Sequence, residues 1–586
     1  MRFRTANVSC FISMLFIGLS FAQIPTFQDI APSAGVDNGD LSLSVAFLDV
    51  NNDGWDDIYL ANDHQPGDRN YLFLNQGDST FTDITESAGV VEPQFPYTVR
   101  IADADNDGWQ DLFVFTMDGH NKLYRNNGNN TFTDWLSGSE ASEQYLSASE
   151  VGDLNNDGLV DLYVVVREFS NFYCIIYIAT RPGEFEEVWR STAPLWFGCD
   201  VQFCDFDNDN DLDILQGNYG TVNWLFQMEY PVMNEIAASA GITGSVDDFK
   251  NPIIADYDND GNFDFFSLNY MEAGESPNHL FRQDADWHFN DTINTSGIIA
   301  MDPSYCGVWA DLDNDGWLDL LTFDATISNT KFWHSNQDGT LSEVAAQAGL
   351  TLNDYNTQAV AVGDVNHDGF LDFYTVRYGS PNRLYLNGGN DNHWAQVSLQ
   401  GTVSDRLGIG ARVKAVAGDL VQWRVVGGGH WGNCFNAPYV QLGLGEHTVV
   451  DSIYVIWLSG QVDILTNVPV DQRITIQEGS SSVSNPKTRF VPTSISLEPP
   501  YPNPFNPITT ISYSLPVSGV IDLAVFDITG RKVITLVNGF SSEGSHRVVF
   551  NGSGLTSGIY FCKLSVRTPS GQAGELTAVQ KMVLLK

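Results

Sequence analysis

Asp49-Val50-Asn51-Asn52-Asp53-Gly54-Trp55-Asp56-Asp57 is the first of seven copies of one nine-residue pattern in a chain of 586 residues. We number these copies loops 1 to 7. Loops 2 to 7 begin at Asp103, Asp153, Asp205, Asp256, Asp311 and Asp364, so successive loops start 54, 50, 52, 51, 55 and 53 residues apart. Such a regular repeat predicts one structural unit that is copied along the chain.

Positions 1, 3, 5 and 9 of every loop carry an oxygen-bearing side chain, which is what a hard cation requires. Calcium takes about six to eight oxygen ligands from carboxylates, amides and backbone carbonyls, and glycine at position 6 permits the sharp turn around the ion. Position 7 varies freely, as expected of a residue that offers its backbone carbonyl. Metal-free turns built on Asp and Asn would explain one or two copies, but not seven. We therefore predict up to seven bound calcium ions.

The predicted calcium ligands are the residues at positions 1, 3, 5, 7 and 9 of each loop. They are Asp49, Asn51, Asp53, Trp55 and Asp57; Asp103, Asp105, Asp107, Trp109 and Asp111; Asp153, Asn155, Asp157, Leu159 and Asp161; Asp205, Asp207, Asp209, Asp211 and Asp213; Asp256, Asp258, Asp260, Asn262 and Asp264; Asp311, Asp313, Asp315, Trp317 and Asp319; and Asp364, Asn366, Asp368, Phe370 and Asp372. Loop 4 departs from the pattern because Asn210 replaces the glycine. Asparagine tolerates a left-handed backbone, so this site is expected to be weakened rather than lost.

Four short apolar segments accompany each loop, and runs of this kind predict strands. Four strands per unit of this length predict the blades of a β-propeller. The seventh unit lacks its fourth segment, whereas a spare one, residues 27–30, precedes loop 1. We therefore predict an all-β fold in which residues 23–392 form a seven-bladed β-propeller. The N-terminal strand would complete the last blade, leaving no open sheet edge, and all seven loops would lie on one rim.

These units resemble the FG-GAP or VCBS repeats that build the propeller of integrin α-subunits. The resemblance covers residues 25–392, and the loop residues match it copy by copy. It implies that the calcium loops lie away from the partner-binding face. It also implies that they stiffen the blades rather than take part in chemistry.

Residues 393–478 follow a different pattern of short apolar and alternating runs, which predicts a small β-domain. The segments Ser404–Val413 and Trp423–Gly429 resemble the ASPIC and UnbV domain, with Leu458 in place of the usual proline. The resemblance implies no particular reaction. Gly427–Gly429 is not a phosphate-binding loop, since no helix pattern and no Lys-Ser/Thr pair follows it.

Residues 479–493 are rich in serine and predict a flexible linker. The motif Tyr501-Pro-Asn-Pro-Phe-Asn-Pro507 and the segments after it predict a small β-sandwich over residues 494–586. This part resembles the type A sorting domain of the type IX secretion system, which is immunoglobulin-like. The resemblance implies a Gram-negative source of the Bacteroidetes kind, recognition by the type IX machinery and export across both membranes.

Net charge and hydropathy exclude some classes of partner and indicate where the protein is located. The chain carries 73 acidic and 28 basic residues, a formal net charge of −45. Such a surface repels nucleic acid and anionic membranes. Residues 1–22 predict a secretory signal, with Arg2 and Arg4 ahead of an apolar run. No later segment has the ~20 apolar residues of a membrane span, so we expect a secreted or cell-surface protein.

The cysteines and histidines fit no catalytic or zinc motif. Cys199 and Cys204 are near enough in sequence to pair, and free buried thiols are an equal alternative. No zinc-protease motif, nucleophile elbow or protease-like cysteine occurs in the sequence. The insertions 62–70 and 269–278 are candidate ligand-contacting loops, and the residues of interest in them are His64, Asp68, Arg69, Tyr270, Glu272 and Glu275.

Three functions remain open. The first is a non-catalytic, calcium-stabilised protein that binds a glycan or a protein partner. The second is a secreted polysaccharide-degrading enzyme, a lyase or hydrolase, on the propeller scaffold. The third is a structural component of the cell surface or matrix. The net negative charge disfavours a lyase, because the substrates of lyases are acidic sugars.

Overall fold

In the computed structural model the described residues form strands and only two short helices, α1 (Ala31–Ala34) and α2 (Thr85–Ala88). The structure describes residues 24–63, 69–92, 95–136, 144–168, 171–191, 197–219, 222–242, 251–269, 277–285, 287–300, 304–323, 330–350, 356–428, 433–480, 496–497, 500, 503–515, 519–541, 544–567 and 576–585. The predicted secretory signal and most of the predicted linker lie outside these residues. Among the helices of this part of the chain, none is long and apolar enough to cross a membrane.

The repeat region contains seven antiparallel sheets, each with four strands from the repeats. We number each sheet by the loop that joins its first and second strands. The strands are β1 (Phe27–Asp29); β2 (Ser42–Leu48), β3 (Asp57–Asn62), β4 (Tyr71–Asn75) and β5 (Phe81–Asp83) of sheet 1; β6 (Pro96–Ala102), β7 (Asp111–Thr116), β8 (Lys122–Asn126) and β9 (Phe132–Asp134) of sheet 2; β10 (Leu146–Gly152), β11 (Asp161–Glu168), β12 (Asn171–Arg181) and β13 (Glu184–Arg190) of sheet 3; β14 (Phe197–Cys204), β15 (Asp213–Tyr219), β16 (Trp224–Glu229) and β17 (Val232–Glu235) of sheet 4; β18 (Asn251–Ala255), β19 (Asp264–Leu268), β20 (His279–Ala285) and β21 (His288–Asp291) of sheet 5; β22 (Cys306–Ala310), β23 (Asp319–Phe323), β24 (Lys331–Ser335) and β25 (Leu341–Glu343) of sheet 6; and β26 (Thr357–Gly363), β27 (Asp372–Arg377) and β28 (Arg383–Asn387) of sheet 7.

The N-terminal strand belongs to sheet 7, as the repeat count predicts. Strand β1 pairs antiparallel with β28, so that Phe27 lies opposite Asn387. The first strands of neighbouring sheets contact one another in a closed series, from β2 through β6, β10, β14, β18 and β22 to β26 and back to β2. These separate four-stranded sheets have the arrangement of propeller-like blades.

Burial on both faces holds the sheets together. Every residue of β2 and β3 is buried, and their apolar side chains contribute to two different core clusters. The fourth strand of sheet 1 leads into α2, which ends at Gly89 with φ 79°, a left-handed conformation that glycine adopts without strain. Strand β14 ends at Cys204, which is a free, buried thiol, so the free-thiol alternative holds for Cys204.

Residues 393–480 form two further sheets around one apolar core. The first contains β29 (His393–Gln400), β33 (Tyr439–Gly445) and β36 (Gln472–Gln477); the second contains β30 (Arg412–Ala417), β31 (Leu420–Val425), β34 (Val449–Ile456) and β35 (Val462–Pro469). The short strand β32 (Cys434–Phe435) leaves this core and pairs parallel with β2 of sheet 1. Nothing in the sequence predicted that this strand would join sheet 1 of the repeat region.

The C-terminal region also has two sheets that share a core. Their strands are β37 (Ser496–Leu497), β38 (Ile508–Leu515) and β41 (Gly544–Asn551) in one, and β39 (Gly519–Asp527), β40 (Lys532–Ser541), β42 (Gly558–Arg567) and β43 (Leu576–Leu584) in the other. Two layers packed over one core agree with the predicted sandwich. Its kinship with immunoglobulin domains stays a prediction.

Candidate metal centres

Each loop wraps around the carboxylate at position 1. In loop 2, Asp103 Oδ1 accepts a hydrogen bond from the backbone N–H of Asp107 over 3.0 Å, and Oδ2 accepts one from Gly108 over 2.7 Å. The same pair of bonds occurs in the other six loops. The side chains at positions 1, 3 and 5 are thereby held close together.

Position 9 ties the loop to the sheet behind it. In loop 2, Asp111 accepts hydrogen bonds from the backbone N–H groups of Ala104, at position 2, and of Asn126, in the third strand, over 2.8 and 2.7 Å. Both bonds recur in loops 1, 3, 4, 6 and 7. In loop 5, Asp264 accepts the bond from the third strand, where Gln283 donates its N–H over 2.7 Å, while its other oxygen has no hydrogen-bond partner. The loop and the strand are therefore fixed relative to each other without the help of a metal ion.

Carboxylate oxygens converge in four of the loops. In loops 2, 4, 5 and 6, oxygens from three aspartates lie within 4.8 Å of one another. Burial raises the pKa of Asp103 to about 7 and that of Asp111 to about 8, and nearby carboxylates add to the increase. In loops 5 and 6, Asp264 Oδ2 and Asp313 Oδ2 are buried and accept no hydrogen bond. Hard oxygen donors that are crowded, buried and unsatisfied fit a divalent cation such as calcium.

Loops 1, 3 and 7 have the same backbone arrangement, with asparagine at position 3. In loop 1, Asn51 donates a hydrogen bond from Nδ2 to Asp53 over 2.8 Å, and the equivalent bond is present in loops 3 and 7. At position 7, Trp55 stacks on the ring of His367, with centroids 3.7 Å apart. The structure thus brings the predicted side chains together, while the identity of the ion stays a prediction.

Position 4 joins six of the seven loops to the next one, a role that sequence analysis missed. Asn106 of loop 2 donates a hydrogen bond from Nδ2 to the backbone oxygen of Gly158 in loop 3 over 2.8 Å. The same contact links loops 1 to 2, 3 to 4, 5 to 6 and 6 to 7. His367 of loop 7 closes the series on Gly54 of loop 1 over 2.7 Å. The repeated asparagine at this position was the available signal.

Residues 393–478 cover the loops, and we call this part of the chain the cap. Three of its arginines contact different loops: Arg412 lies 3.2 Å from Asp205, Arg424 donates to the oxygen of Gly316 over 3.1 Å, and Arg473 donates to that of Gly54 over 2.8 Å. Arg412 also hydrogen-bonds Asn208 and Asn210 of loop 4. The asparagine that replaces glycine in loop 4 is thus a contact point for the cap.

A segment of the cap, residues 433–439, enters the space between the first strands. It adds β32 to sheet 1, and Asn433 accepts a hydrogen bond from Ser44. Next to it, Ala437 donates its N–H to Val362 of the adjacent sheet 7 over 3.0 Å. We call residues 433–439 the central segment, since β32 contacts the first strands of sheets 1, 2 and 7.

Glycines permit the cap to approach the loops this closely. A Cβ added at Gly369 of loop 7 would lie 1.7 Å from the ring of Trp394, and one added at Gly158 of loop 3 would lie 2.3 Å from Val403 O. In the cap itself, a Cβ at Gly443 would lie 2.0 Å from Asp311 Oδ2 of loop 6. The glycines at position 6 therefore serve both the turn and the interface.

We expect Gly443→Ala to weaken the contact between the cap and loop 6. The backbone of residue 443 itself should not be strained, because Gly443 does not have a positive φ. Overpacking of this kind costs about 1–3 kcal/mol. Thermal unfolding and limited proteolysis of the full chain would measure the effect. Gly554→Ala is the matched control, since an added Cβ there meets nothing within 4 Å. Equal midpoints and cleavage patterns for both variants would contradict the close contact.

Family models match three parts of the chain. An FG-GAP-like repeat model matches residues 49–114, 103–164, 256–322 and 311–375. The chain carries FG-GAP-like repeats. Behind them, an ASPIC and UnbV model matches residues 401–483, most of the cap, and a model of the secretion system C-terminal sorting domain matches residues 500–573. The sorting domain indicates export by type IX secretion to the cell surface or beyond.

Curated relatives share part of this organisation. Mouse and human cartilage acidic protein 1 are each 28% identical to the chain over 203 residues, which cover 33% of this chain and 31% and 30% of the two relatives. The match thus spans about a third of the length of these relatives. Similarity of this extent does not transfer the activity or the partners of a whole protein.

The similarity of the chain to solved structures is low. The lectin BP39L from Burkholderia pseudomallei is 10% identical with a TM-score of 0.40, covering 60% of this chain and 97% of the lectin. The extracellular domain of the hybrid two-component system BT3049 from B. thetaiotaomicron is also 10% identical, with a TM-score of 0.38, covering 96% of this chain and 57% of that domain. Neither likeness bears on function.

The candidate ligand-contacting loops are only partly described. His64, Asp68, Tyr270, Glu272 and Glu275 lie outside the described residues. Arg69 forms an ion pair with Asp83 at 2.5 Å and lies over the ring of Tyr71, with its guanidinium carbon 4.8 Å from the centroid. These contacts give Arg69 a structural role within sheet 1.

Proposed function

We propose that this chain is a secreted or cell-surface, calcium-binding, seven-bladed propeller protein that performs no catalysis and binds a glycan or protein partner. The observation that carries the proposal is the position of the cap. Because the cap covers the side of the repeat region that bears the loops, a partner would use the opposite side, which we call the open side. Adhesion or recognition would then take place on that opposite side.

The open side carries large apolar side chains. The first strand of each sheet ends at a loop, so residues just before a first strand, or between a second and a third strand, lie on the opposite side. Five exposed residues occupy such positions, namely Phe95, Tyr145, Val222, Ile299 and Tyr378. Tyr145 is 51% exposed and Val222 62% exposed. Exposed aromatic and apolar side chains favour a partner surface.

Calcium enters the proposal through the donor sets of the loops. Each loop supplies four carboxylates, or three and an amide, and three carboxylate oxygens lie within 4.8 Å of one another in loops 2, 4, 5 and 6. Buried oxygens without hydrogen-bond partners occur in loops 5 and 6. Weak all-oxygen sites stay filled outside cells, where calcium is abundant. The ions would stiffen the blades and hold the surface that faces the cap.

Site-specific photo-crosslinking tests where the partner binds. A photo-reactive amino acid at position 145 is expected to capture a partner on intact cells or on a polysaccharide array, because Tyr145 lies on the open side. The matched control places it at position 528 in the C-terminal region, where Ile528 is 73% exposed. Serine at both Tyr145 and Tyr378 should weaken binding about tenfold, if the two rings contribute about 1.4 kcal/mol together. Equal capture at positions 145 and 528, or unchanged binding by the serine variant, would place the partner elsewhere.

A further inference from the structure

One strand position lies beside the ligands of every loop. In each sheet, one residue of the third strand donates its backbone N–H to the aspartate at position 9 of the loop. The residue immediately before that donor in the sequence occupies what we call the neighbour position. The residues there are Leu74, Arg125, Ile178, Gln227, Arg282, His334 and Leu386 in loops 1 to 7. The same backbone bond defines this position in all seven sheets, so the residues can be compared directly.

The neighbour position changes together with position 3. Loops 1, 3 and 7 have asparagine at position 3, and their neighbour residues are leucine, isoleucine and leucine. Loops 2, 4, 5 and 6 have aspartate at position 3, and theirs are arginine, glutamine, arginine and histidine. An additional carboxylate is thus accompanied, in all four cases, by a polar or basic side chain on the adjacent strand.

In loops 2 and 5 the basic side chain bridges two ligands. Arg282 Nε lies 2.5 Å from Asp258 Oδ2, and its Nη2 lies 2.9 Å from Asp260 Oδ2. Arg125 holds the equivalent oxygens of Asp105 and Asp107 at 2.6 Å each. Both arginines contact positions 3 and 5, the same pair that Asn51 and Asp53 form by themselves in loop 1.

Loops 4 and 6 obtain contacts of a related kind. In loop 4, Gln227 donates a hydrogen bond to Asp207 over 2.9 Å, and the charge comes from the cap, where Arg412 lies 3.2 Å from Asp205. In loop 6, His334 Nδ1 lies 2.9 Å from Asp319 at position 9, and its Nε2 lies 3.9 Å from Asp313 at position 3. The polar side chain therefore contacts different carboxylates in loops 4 and 6, whereas in loops 2 and 5 an arginine bridges positions 3 and 5.

Charge explains the pattern. Positions 1, 3, 5 and 9 carry three carboxylates in loops 1, 3 and 7, and four in the other loops. With every carboxylate counted as ionised, one guanidinium reduces the formal charge of loops 2 and 5 from −4 to −3, which equals that of loops 1, 3 and 7. Repulsion among carboxylates so close together, partly shielded from water, is strong. A neighbouring cation relieves it whether or not a metal ion is bound.

We propose that Arg125 and Arg282 are built-in counter-charges that lower the calcium affinity of loops 2 and 5 to that of the three-carboxylate loops. The inference rests on the proposed calcium binding. It assigns these arginines a role in setting affinity, which differs from a purely structural ion pair. Loop 5 is the better place to test it, because Asp264 Oδ2 there is buried and has no hydrogen-bond partner.

The test compares Arg282→Leu, Asp258→Asn and the double variant in the full chain. Hydrogen exchange of peptides covering residues 256–264 is followed during a calcium titration, and peptides covering loop 1 serve as the internal reference. Arg282→Leu is expected to raise the calcium affinity of loop 5 tenfold or more and to increase exchange there when calcium is chelated. The double variant, which reproduces the Asn and Leu of loop 1, should return both quantities close to those of the parent.

The possible outcomes separate the inference from the proposed function. If no loop of the parent protein responds to calcium, the calcium-binding proposal fails. If the parent responds but Arg282→Leu leaves the affinity unchanged or lowers it, the counter-charge role is wrong. Failure of Asp258→Asn to reverse the effect of Arg282→Leu would indicate a structural ion pair, because only charge compensation predicts the rescue.

Discussion

Removal of calcium is expected to lower the thermal unfolding midpoint of the exported chain by at least about 10 °C. A site that binds only the folded state adds about 2.7 kcal/mol when free calcium is a hundredfold above its dissociation constant, and the contributions of several sites add. The loops bond one another through position 4 and bond the cap through Arg412, Arg424 and Arg473. Loss of the ions should therefore weaken the sheets and the cap together.

The experiment compares excess chelator with the same chelator saturated with calcium, so that only the free ion differs. Calorimetry would record the midpoint, and proteolysis would record exposure of the cap. Restored calcium should recover the original midpoint, whereas magnesium, which prefers a smaller and more rigid octahedral site, should recover less of it. An unchanged midpoint would mean that the loops are stable turns without bound metal.

Local patterns made much of the fold predictable from sequence. The spare segment at residues 27–30 predicted the pairing of β1 with β28, because a blade without its fourth strand would expose an edge. The conformation of the loops was equally predictable from sequence, since every contact between positions 1, 5, 6 and 9 lies within one unit. Their exact repetition allowed each position to be compared seven times.

Contacts between units were not predictable in the same way. The asparagine at position 4 looks like an ordinary turn residue until the next loop is placed beside it, although Asn106 bonds Gly158 across 52 positions of sequence. The cap was harder still. Arg412, Arg424 and Arg473 occur singly in a domain without internal repeats, and only the tertiary structure places them beside loops more than a hundred residues away.

The cap and the loops therefore form one structural unit. The carboxylates would attract the arginines of the cap as well as metal ions, and the glycines that permit the turn also permit the cap to contact the loops. A cap fixed in this way would direct a partner to the opposite side of the repeats. This division of the two sides is the physical reason to search for a ligand away from the acidic loops.

The central segment has its own anchor, and Arg100→Met is expected to destabilise the protein by about 3–5 kcal/mol. The Arg100 side chain is fully buried, and its Nε lies 2.8 Å from Glu150 Oε1. Its Nη2 donates to the oxygen of Ser149 over 2.8 Å, and Nη1 donates to that of Cys434 in the central segment over 3.4 Å. Methionine would fill much of the space but leave the Glu150 carboxylate buried without its cation.

Denaturant unfolding of three variants would separate this buried pair from an exposed one. Burial raises the pKa of Glu150 while Arg100 opposes the increase, so replacing both residues by methionine should recover much of the stability lost in Arg100→Met. Arg531→Met is the matched control, because Arg531 is 81% exposed in its ion pair with Asp527, and solvent-exposed pairs of this kind contribute little to stability. Equal losses for Arg100→Met and Arg531→Met would show that Arg100 does not hold sheets 2 and 3 and the central segment together.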